Sequence, residues 1–266
     1  MSIWWLAAVP CTAALLGAHF LLQGWRVERE IMQCHYGRAL KMIDGALGWS
    51  SVSLIKLQKA AALFYWGRCE EAERILRELV DPSRAAADRL RGSENLGFVL
   101  LALGRYAEAK RSFEAAAALR PTSSAAHSGR AELRLRQGLV PTQALADAER
   151  ALKNHRTDPS ERFSSEAMAR IRGNQAWALA LLGHAAQSQQ VIELAAREID
   201  LKHRPELAGF YWRAGMAMLA IESHSSAAGH FRRASKLDPE GYYGGLARQQ
   251  LGQPGLWENR GGNRGT

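Results

Sequence analysis

The stretch from Ser93 to Pro121 constrains the fold of this 266-residue chain more than any other part of it. It contains two amphipathic helical runs that meet at Gly104, and Pro121 ends the second run. Small residues stand at Gly97 and Ala109, where two helices would have to touch closely. Large apolar residues stand where a shared core would be filled, at Leu96, Leu100, Tyr106 and Phe113. The pattern predicts a helical hairpin, and because one hairpin cannot bury its own apolar face, it needs similar neighbours.

The spacing of Leu96-Gly97, Ala109-x3-Phe113 and Pro121 resembles the tetratricopeptide repeat (TPR), a helix–turn–helix unit of about 34 residues. Ser93 and Leu100 stand where the family has its leading Trp and its first Tyr. The resemblance implies an all-α, right-handed helical solenoid in which such units stack in a row. Composition favours helix independently, because Leu, Ala, Arg, Glu and Gln dominate and β-branched residues are sparse.

Other segments repeat this pattern. Gly138 lies 138 − 104 = 34 residues after Gly104, and we also place turns at Gly67 and Gly183. The last unit repeats Ala109-x3-Phe113 as Ala227-x3-Phe231, but its turn has no glycine, so that Glu222 or Ser223 must take its place. We therefore expect about five helix pairs over residues 51–251, with a closing helix over 242–251 that covers the last apolar edge.

Residues 26–50 are interpreted as a connecting helical half-repeat. Tyr36-x2-Ala39-x3-Ile43 matches the second half of the unit, and residues 26–33 would then serve as its first helix. Residues 252–266 are rich in Gly, Asn and Arg, which predicts a disordered tail.

The N-terminus carries no charged residue from Ile3 to Trp25. A membrane helix needs about 20 apolar residues, so residues 1–25 are predicted to be one transmembrane anchor. Trp4, Trp5 and Trp25 stand at its ends, where indole rings prefer the headgroup region. A cleaved signal peptide is the alternative, but nothing before Ile3 is basic and the apolar run is long.

Cations follow this span closely, at Arg26, Arg29, Arg38 and Lys41. By the positive-inside rule this side of the membrane is cytoplasmic. The expected arrangement is a single-pass membrane protein with a cytoplasmic repeat domain.

The resemblance also implies a groove lined by the first helix of each unit. Asn95 and Asn174 occupy the same place in their units, and an amide suits the main chain of an extended peptide because it both donates and accepts hydrogen bonds. The alternative for the aromatic candidates is that they simply pack between helices. The candidate peptide-binding residues are Glu94, Asn95, Phe98, Arg170, Asn174, Trp177, Trp212, Arg213 and Met216.

The lysine- and asparagine-based carboxylate clamp of chaperone-type TPR domains is not present. Only Asn95 matches it, and Leu57 and Ala61 stand where the first Lys and Asn should be.

Motifs of catalysis are absent from the sequence: there is no HExxH, GxSxG, GxxxxGK[ST] or paired CxxC. The cysteines are odd in number, which argues against a disulfide scaffold. We therefore expect no enzyme activity, no cofactor and no metal site.

The function expected from these features is that of a membrane-anchored TPR adaptor that binds a protein or peptide partner for complex assembly or regulation at a bacterial-type membrane. Three alternatives stay open: a periplasm-facing envelope or pilus assembly factor, a fixed subunit of a larger membrane complex, and a basic nucleic-acid-associated regulator. The formal charge of +9 suggests the last, but no basic run with interleaved aromatics supports it.

Overall fold

The computed structural model describes residues 24–45, 53–159, 165–199 and 202–253, and within these ranges every regular element is an α-helix. Helix α1 includes residues 24–32. The others are α2 (Tyr36–Gly45), α3 (Ser53–Tyr65), α4 (Cys69–Leu79), α5 (Ala86–Ala102), α6 (Tyr106–Leu119), α7 (Ser124–Arg136), α8 (Pro141–Thr157), α9 (Ser165–Leu181), α10 (Ala185–Glu198), α11 (Arg204–Ala220), α12 (His224–Leu237) and α13 (Tyr242–Leu251). The all-α prediction is confirmed for this part of the chain.

The turns inside the helix pairs share one backbone conformation. Each contains a residue with positive φ, which is Gly67, Gly104, Gly138 or Gly183 in the four middle pairs. A residue without a side chain adopts this conformation at little steric cost, and it lets the chain reverse between two antiparallel helices. The predicted turn glycines therefore mark the boundary between the two helices of each of these pairs.

The pair α11/α12 makes the same turn without glycine. Glu222 has φ 58°, and its backbone N–H donates to Leu219 O while that of Ser223 donates to Met218 O. Gly104 and Arg105 make the corresponding bonds in the α5/α6 turn. Of the two residues expected at this place, Glu222 is the one that takes the glycine position.

The first pair is more complete than the half-repeat expected from the sequence. Cys34 has φ 62° between α1 and α2, and its turn bonds match those at Gly104. Both helices of this pair are present, with α1 at the place where residues 26–33 were expected to form a first helix. Five pairs, α3/α4 to α11/α12, and then α13 follow over residues 51–251 as expected, so the described residues form six pairs in all. A cysteine in the glycine position hid this turn from the sequence pattern.

The core between pairs is organised around buried phenylalanine rings. A Cβ at Gly97 or at Gly129 would collide with the ring of Phe113, so this ring fits between α5 and α7 only because both positions are glycine. Gly215 and Phe231 repeat the arrangement in the last pair. Gly97 was expected to lie where helices touch closely, and Phe113, one turn after Ala109, is what it touches.

The two ends of the array contact each other. The hydroxyl of Tyr36 in α2 donates to Asp238 Oδ1 after α12 (2.7 Å), and the ring of Phe64 in α3 lies 5.4 Å from that of Tyr242 in α13. Helix α13 has the expected bounds, but it reaches back to α3 as well as covering α11 and α12. The pairs therefore do not form a row with two independent ends.

The predicted anchor, Ile3 to Trp25, lies outside the described residues except for its last two positions, and so do residues 46–52 and the tail from 254 onward. Among the helices that are described, none combines the length and the apolar character that crossing a bilayer requires.

Candidate functional site

The first helices of the pairs line an open groove of about 580 Å³. We call this cavity the groove, and we call the side of the array formed by α1, α3, α5, α7, α9 and α11 the first-helix face. The groove is lined by Glu28, Ile31, Leu54, Leu57, Gln58, Ala61, Tyr65, Leu90, Arg91, Glu94, Asn95, Phe98, Arg120, Ser124, Ala125, Ala167, Arg170 and His203.

One wall of the groove is apolar. It consists of Ile31 from α1, Leu54, Leu57 and Ala61 from α3, and Leu90 from α5. Leu54 is 42% exposed, Leu57, Ala61 and Leu90 are half-buried, and Ile31 is buried. A partly exposed apolar strip beside polar groups is typical of a binding surface.

The opposite side is polar and largely held in place by the chain itself. Glu94 accepts a hydrogen bond from the Ser123 hydroxyl (2.6 Å) and pairs with Arg120 (3.4 Å), so its carboxylate is already engaged. Asn95 is exposed, and its Nδ2 donates to the backbone oxygen of Arg91 (2.8 Å). The side-chain carbonyl oxygen of Asn95 makes no hydrogen bond to the described residues, so this groove-lining residue keeps an available acceptor.

A four-residue cluster forms the base of the groove. Arg170 donates to Glu206 Oε1 (2.8 Å), Tyr65 donates to the same oxygen (2.6 Å), and the Arg170 guanidinium lies 4.1 Å from the ring centre of Phe98. Burial alone would raise the pKa of Glu206, but Arg170 and Arg213 outweigh it and hold that pKa below its ordinary value. The cluster ties α3, α5, α9 and α11 together and fixes the direction of Arg170.

Behind this base lies a buried set of charges that we call the central network: Glu132, Arg136, Arg213, Tyr242 and Tyr243. Arg213 donates to Glu132 Oε2 (2.7 Å) and to the Tyr243 hydroxyl oxygen (2.9 Å). Arg136 pairs with Glu132 Oε1 (2.7 Å) and donates to the Tyr242 hydroxyl oxygen (3.0 Å). Through its two tyrosines, α13 covers the part of the first-helix face that belongs to α7 and α11.

The nine candidates from the sequence fall into two groups. Glu94, Asn95, Phe98 and Arg170 come together in the groove. The other five, Asn174, Trp177, Trp212, Arg213 and Met216, do not line it.

Each of the candidates outside the groove has a packing reason, apart from the half-buried Met216. Asn174 is buried, and its Nδ2 donates to Ser128 O (3.0 Å) of α7, so it joins two helices. Trp177 and Trp212 pack edge to face with ring centres 5.7 Å apart, as in the alternative in which aromatics fill the space between helices. Arg213 is 0% exposed and belongs to the central network.

Sequence reasoning missed Leu54, Gln58 and Arg91 as groove residues, although a signal existed. Gln58 precedes its turn glycine by nine residues, as Asn95 does, and Leu54 and Arg91 each precede theirs by thirteen. Superposing the units on their turns would have placed these side chains on the same face. No comparable signal exists for Glu206, which lies near the start of α11 and reaches Tyr65 across 141 residues.

The described residues contain no group of three His, Cys, Asp or Glu side chains that could hold a metal ion. Burial raises the pKa of Cys34 to about 12 and that of Cys69 to about 11, so both thiols are protonated at neutral pH. Neither cysteine lines the groove, whose polar side chains include the amides of Gln58 and Asn95 and the guanidinium groups of Arg91 and Arg170.

Comparison with known proteins bears on the fold. Residues 92–123 match the model of the tetratricopeptide repeat family. The structure is similar to a tetratricopeptide repeat protein from Parabacteroides merdae, with a TM-score of 0.58 and 18% identity over 87% of this chain and 82% of that one. It is also similar to PilF of Pseudomonas aeruginosa, with a TM-score of 0.47 and 20% identity over 86% of this chain and 95% of that one.

No curated protein matches the sequence significantly. The match of residues 92–123 and the likeness to the Parabacteroides merdae protein support an all-α, TPR-like helical solenoid fold, and at 18% identity that likeness carries the fold alone.

Proposed function

Starting from a TPR-like array with an open groove, we propose that this chain is a non-catalytic adaptor that captures an extended segment of a protein partner on its first-helix face. The observation that carries the proposal is the groove itself. It combines an exposed apolar wall at Leu54 with an available amide at Asn95 and a fixed guanidinium at Arg170.

The distribution of the groove lining over several units supports a peptide as the ligand. Residues of α1, α3, α5, α7 and α9 all line the open groove of about 580 Å³, so a bound extended chain would contact several units. Apolar side chains of a partner would pack on α3, while its main-chain polar groups would meet Asn95 and Gln58. Such a mixture of apolar contact and few fixed polar groups is characteristic of recognition sites.

The adaptor is also proposed to be anchored in the membrane by Ile3 to Trp25, with the repeat domain in the cytoplasm. The uncharged run and the cations that follow it support this arrangement. Proteolysis of intact spheroplasts tests it: the repeat domain should survive external protease and be digested after lysis. Digestion from outside contradicts the orientation, and extraction of the chain by alkaline carbonate without detergent contradicts the anchor.

Copurification in mild detergent tests the groove. The Ala125→Trp variant fills the centre of the groove without changing charge and should strongly reduce recovery of the partner. Asn95→Trp, at an exposed position, is a second blocking variant with less effect on packing. Arg74→Glu, on the exposed side of α4, is the control. Unchanged recovery with both blocking variants, in protein of unchanged circular dichroism, contradicts the proposal.

A further inference from the structure

The buried charges behind the groove do not balance. Three guanidinium groups, Arg136, Arg170 and Arg213, share two carboxylates, Glu132 and Glu206. Tyr242 and Tyr243 stay neutral at physiological pH, because burial raises the pKa of each above its ordinary value. This cluster of described side chains therefore carries an excess of one positive charge.

An excess charge inside a protein is costly unless a counter-charge reaches it. Arg213 Nε and Nη1 are buried and have no hydrogen-bond acceptor among the described residues. Of the three arginines only Arg170 also lines the groove, where its side chain is 14% exposed. The groove is thus the side from which an anion can complement the cluster.

A second observation places another arginine in line with Arg170. Leu54, Arg91, Ala125 and Arg170 each lie thirteen residues before the turn glycine of their pair, and all four line the groove. We call these four residues the groove row. Arg91 is exposed, and its side chain makes no hydrogen bond or ion pair to the described residues. Across α3, α5, α7 and α9 the groove row therefore reads apolar, basic, small, basic.

Resting on the proposed function, we propose that the groove selects a partner segment with two acidic side chains, one for Arg91 and one for Arg170, beside an apolar side chain for Leu54. Packed helices lie about 8–10 Å apart, so arginines two first helices apart are separated by about 16–20 Å. An extended chain advances about 3.3 Å per residue, which places the two acidic residues about five or six positions apart. The carboxylates belong to internal Asp or Glu side chains rather than to a C-terminus.

The test uses the full chain in detergent micelles and random twelve-residue peptides displayed in two formats. In one format the peptide C-terminus is fused to the display carrier, and in the other it is free. Peptides enriched in the fused format should carry two acidic residues at the stated spacing and one large apolar residue. Arg91→Glu should lower the affinity for a selected peptide by roughly tenfold or more, because it replaces attraction of the acidic side chain by repulsion. Arg74→Glu, its match on α4, should leave affinity unchanged.

The outcomes separate this inference from the proposed function. Peptides that lose binding with Ala125→Trp or Asn95→Trp, but lack acidic residues and tolerate Arg91→Glu, overturn the acidic selectivity and leave groove capture intact. Enrichment in the free-C-terminus format alone overturns the assignment to internal side chains. Failure of both formats to give any peptide sensitive to the blocking variants overturns both proposals.

Discussion

Equivalent positions on the first-helix face have opposite environments in α5 and α11. Asn95 and Arg213 each lie nine residues before the positive-φ residue of their pair. Asn95 is exposed in the groove, whereas Arg213 is 0% exposed beneath α13. Part of the difference comes from the closing helix α13, whose Tyr243 hydroxyl accepts a hydrogen bond from Arg213. Asn174, at the same place in α9, is buried as well, but by its contact with Ser128 of α7. The closing helix and the packing between neighbouring first helices together decide which part of the face remains available to another molecule.

The part of the first-helix face beneath α13, which we call the filled region, contains the charged central network. Tyr242 and Tyr243 bring hydroxyl groups to Arg136 and Arg213, so α13 binds the first-helix face with both apolar surface and hydrogen bonds. The groove offers the same types of group, an arginine over an aromatic ring and an apolar wall, but no segment of the described chain covers them.

The largest expected effect comes from breaking the filled region. Glu132→Gln removes the carboxylate between Arg136 and Arg213 and leaves two buried guanidinium groups facing each other. Loss of one partner from a buried ion pair costs about 3–5 kcal/mol, so urea unfolding should show a decrease of that order. Glu114→Gln, in an exposed pair with Lys110, is the control and should change stability by less than about 0.5 kcal/mol. A small effect of Glu132→Gln would mean that the central network is not formed.

Low pH should destabilise the central network. Burial raises the pKa of Glu132, but Arg213 and Arg136 outweigh burial and lower that pKa from 4.5 to about 2. A carboxylate with a depressed pKa contributes stability above its unfolded pKa and loses that contribution as pH falls through the folded value. We therefore expect the contribution of Glu132 to the free energy of unfolding, measured by urea titration, to be constant from pH 7 to 5. It should fall progressively between pH 4.5 and about 2. Glu132→Gln should flatten this fall, and an equally steep fall in the variant contradicts the assignment.

The two predicted asparagines, Asn174 and Asn95, allow the buried and open parts of the first-helix face to be compared through smaller changes in stability. Asn174→Ala removes a buried hydrogen-bond donor to Ser128 and should destabilise the protein by about 1–3 kcal/mol. Asn95→Ala removes an exposed amide and should change stability by less than about 0.5 kcal/mol while lowering partner recovery. Thermal unfolding and copurification of both variants measure the two effects, and equal stability losses would contradict the different placement of the two residues.

The contact between the ends of the array should give the smallest change. Tyr36→Phe removes the hydroxyl that donates to Asp238, at a cost of about 1 kcal/mol. Hydrogen exchange should then accelerate in α13 as well as in α2, although some 200 residues separate them in sequence. Tyr106→Phe is the matched control, because Tyr106 follows Gly104 by two residues as Tyr36 follows Cys34. Acceleration confined to α2 would mean that the ends are independent.

Much of the fold could be predicted from sequence because the determinants are local. Gly67, Gly104, Gly138 and Gly183 mark turns that require positive φ, and a reader of the sequence can place a helix pair on either side of each. The pair α1/α2 was interpreted only as a half-repeat, because Cys34 takes the same conformation without being glycine. Periodicity identifies a helix, but a strained turn residue is visible only in the structure.

The site could be predicted only in part. Asn95 and Phe98 were found by their places in the unit, whereas Arg213, expected to flank the same apolar strip, is buried beneath α13. Burial by a helix that packs across the array depends on contacts between distant segments, and no spacing within a unit reveals them. The uncompensated charge that points to the groove likewise arises from residues on α7, α9 and α11 together.

Hydroxyl-radical footprinting of the full chain, with and without its copurified partner, tests most directly whether one region of the first-helix face is open and the other is closed. The account predicts oxidation of Leu54 and Leu90 in the free chain, their protection in the complex, and no oxidation of Trp212 or Tyr243 in either state. Ready oxidation of Trp212 and Tyr243 in the free chain, or partner protection that leaves Leu54 and Leu90 reactive, would contradict it.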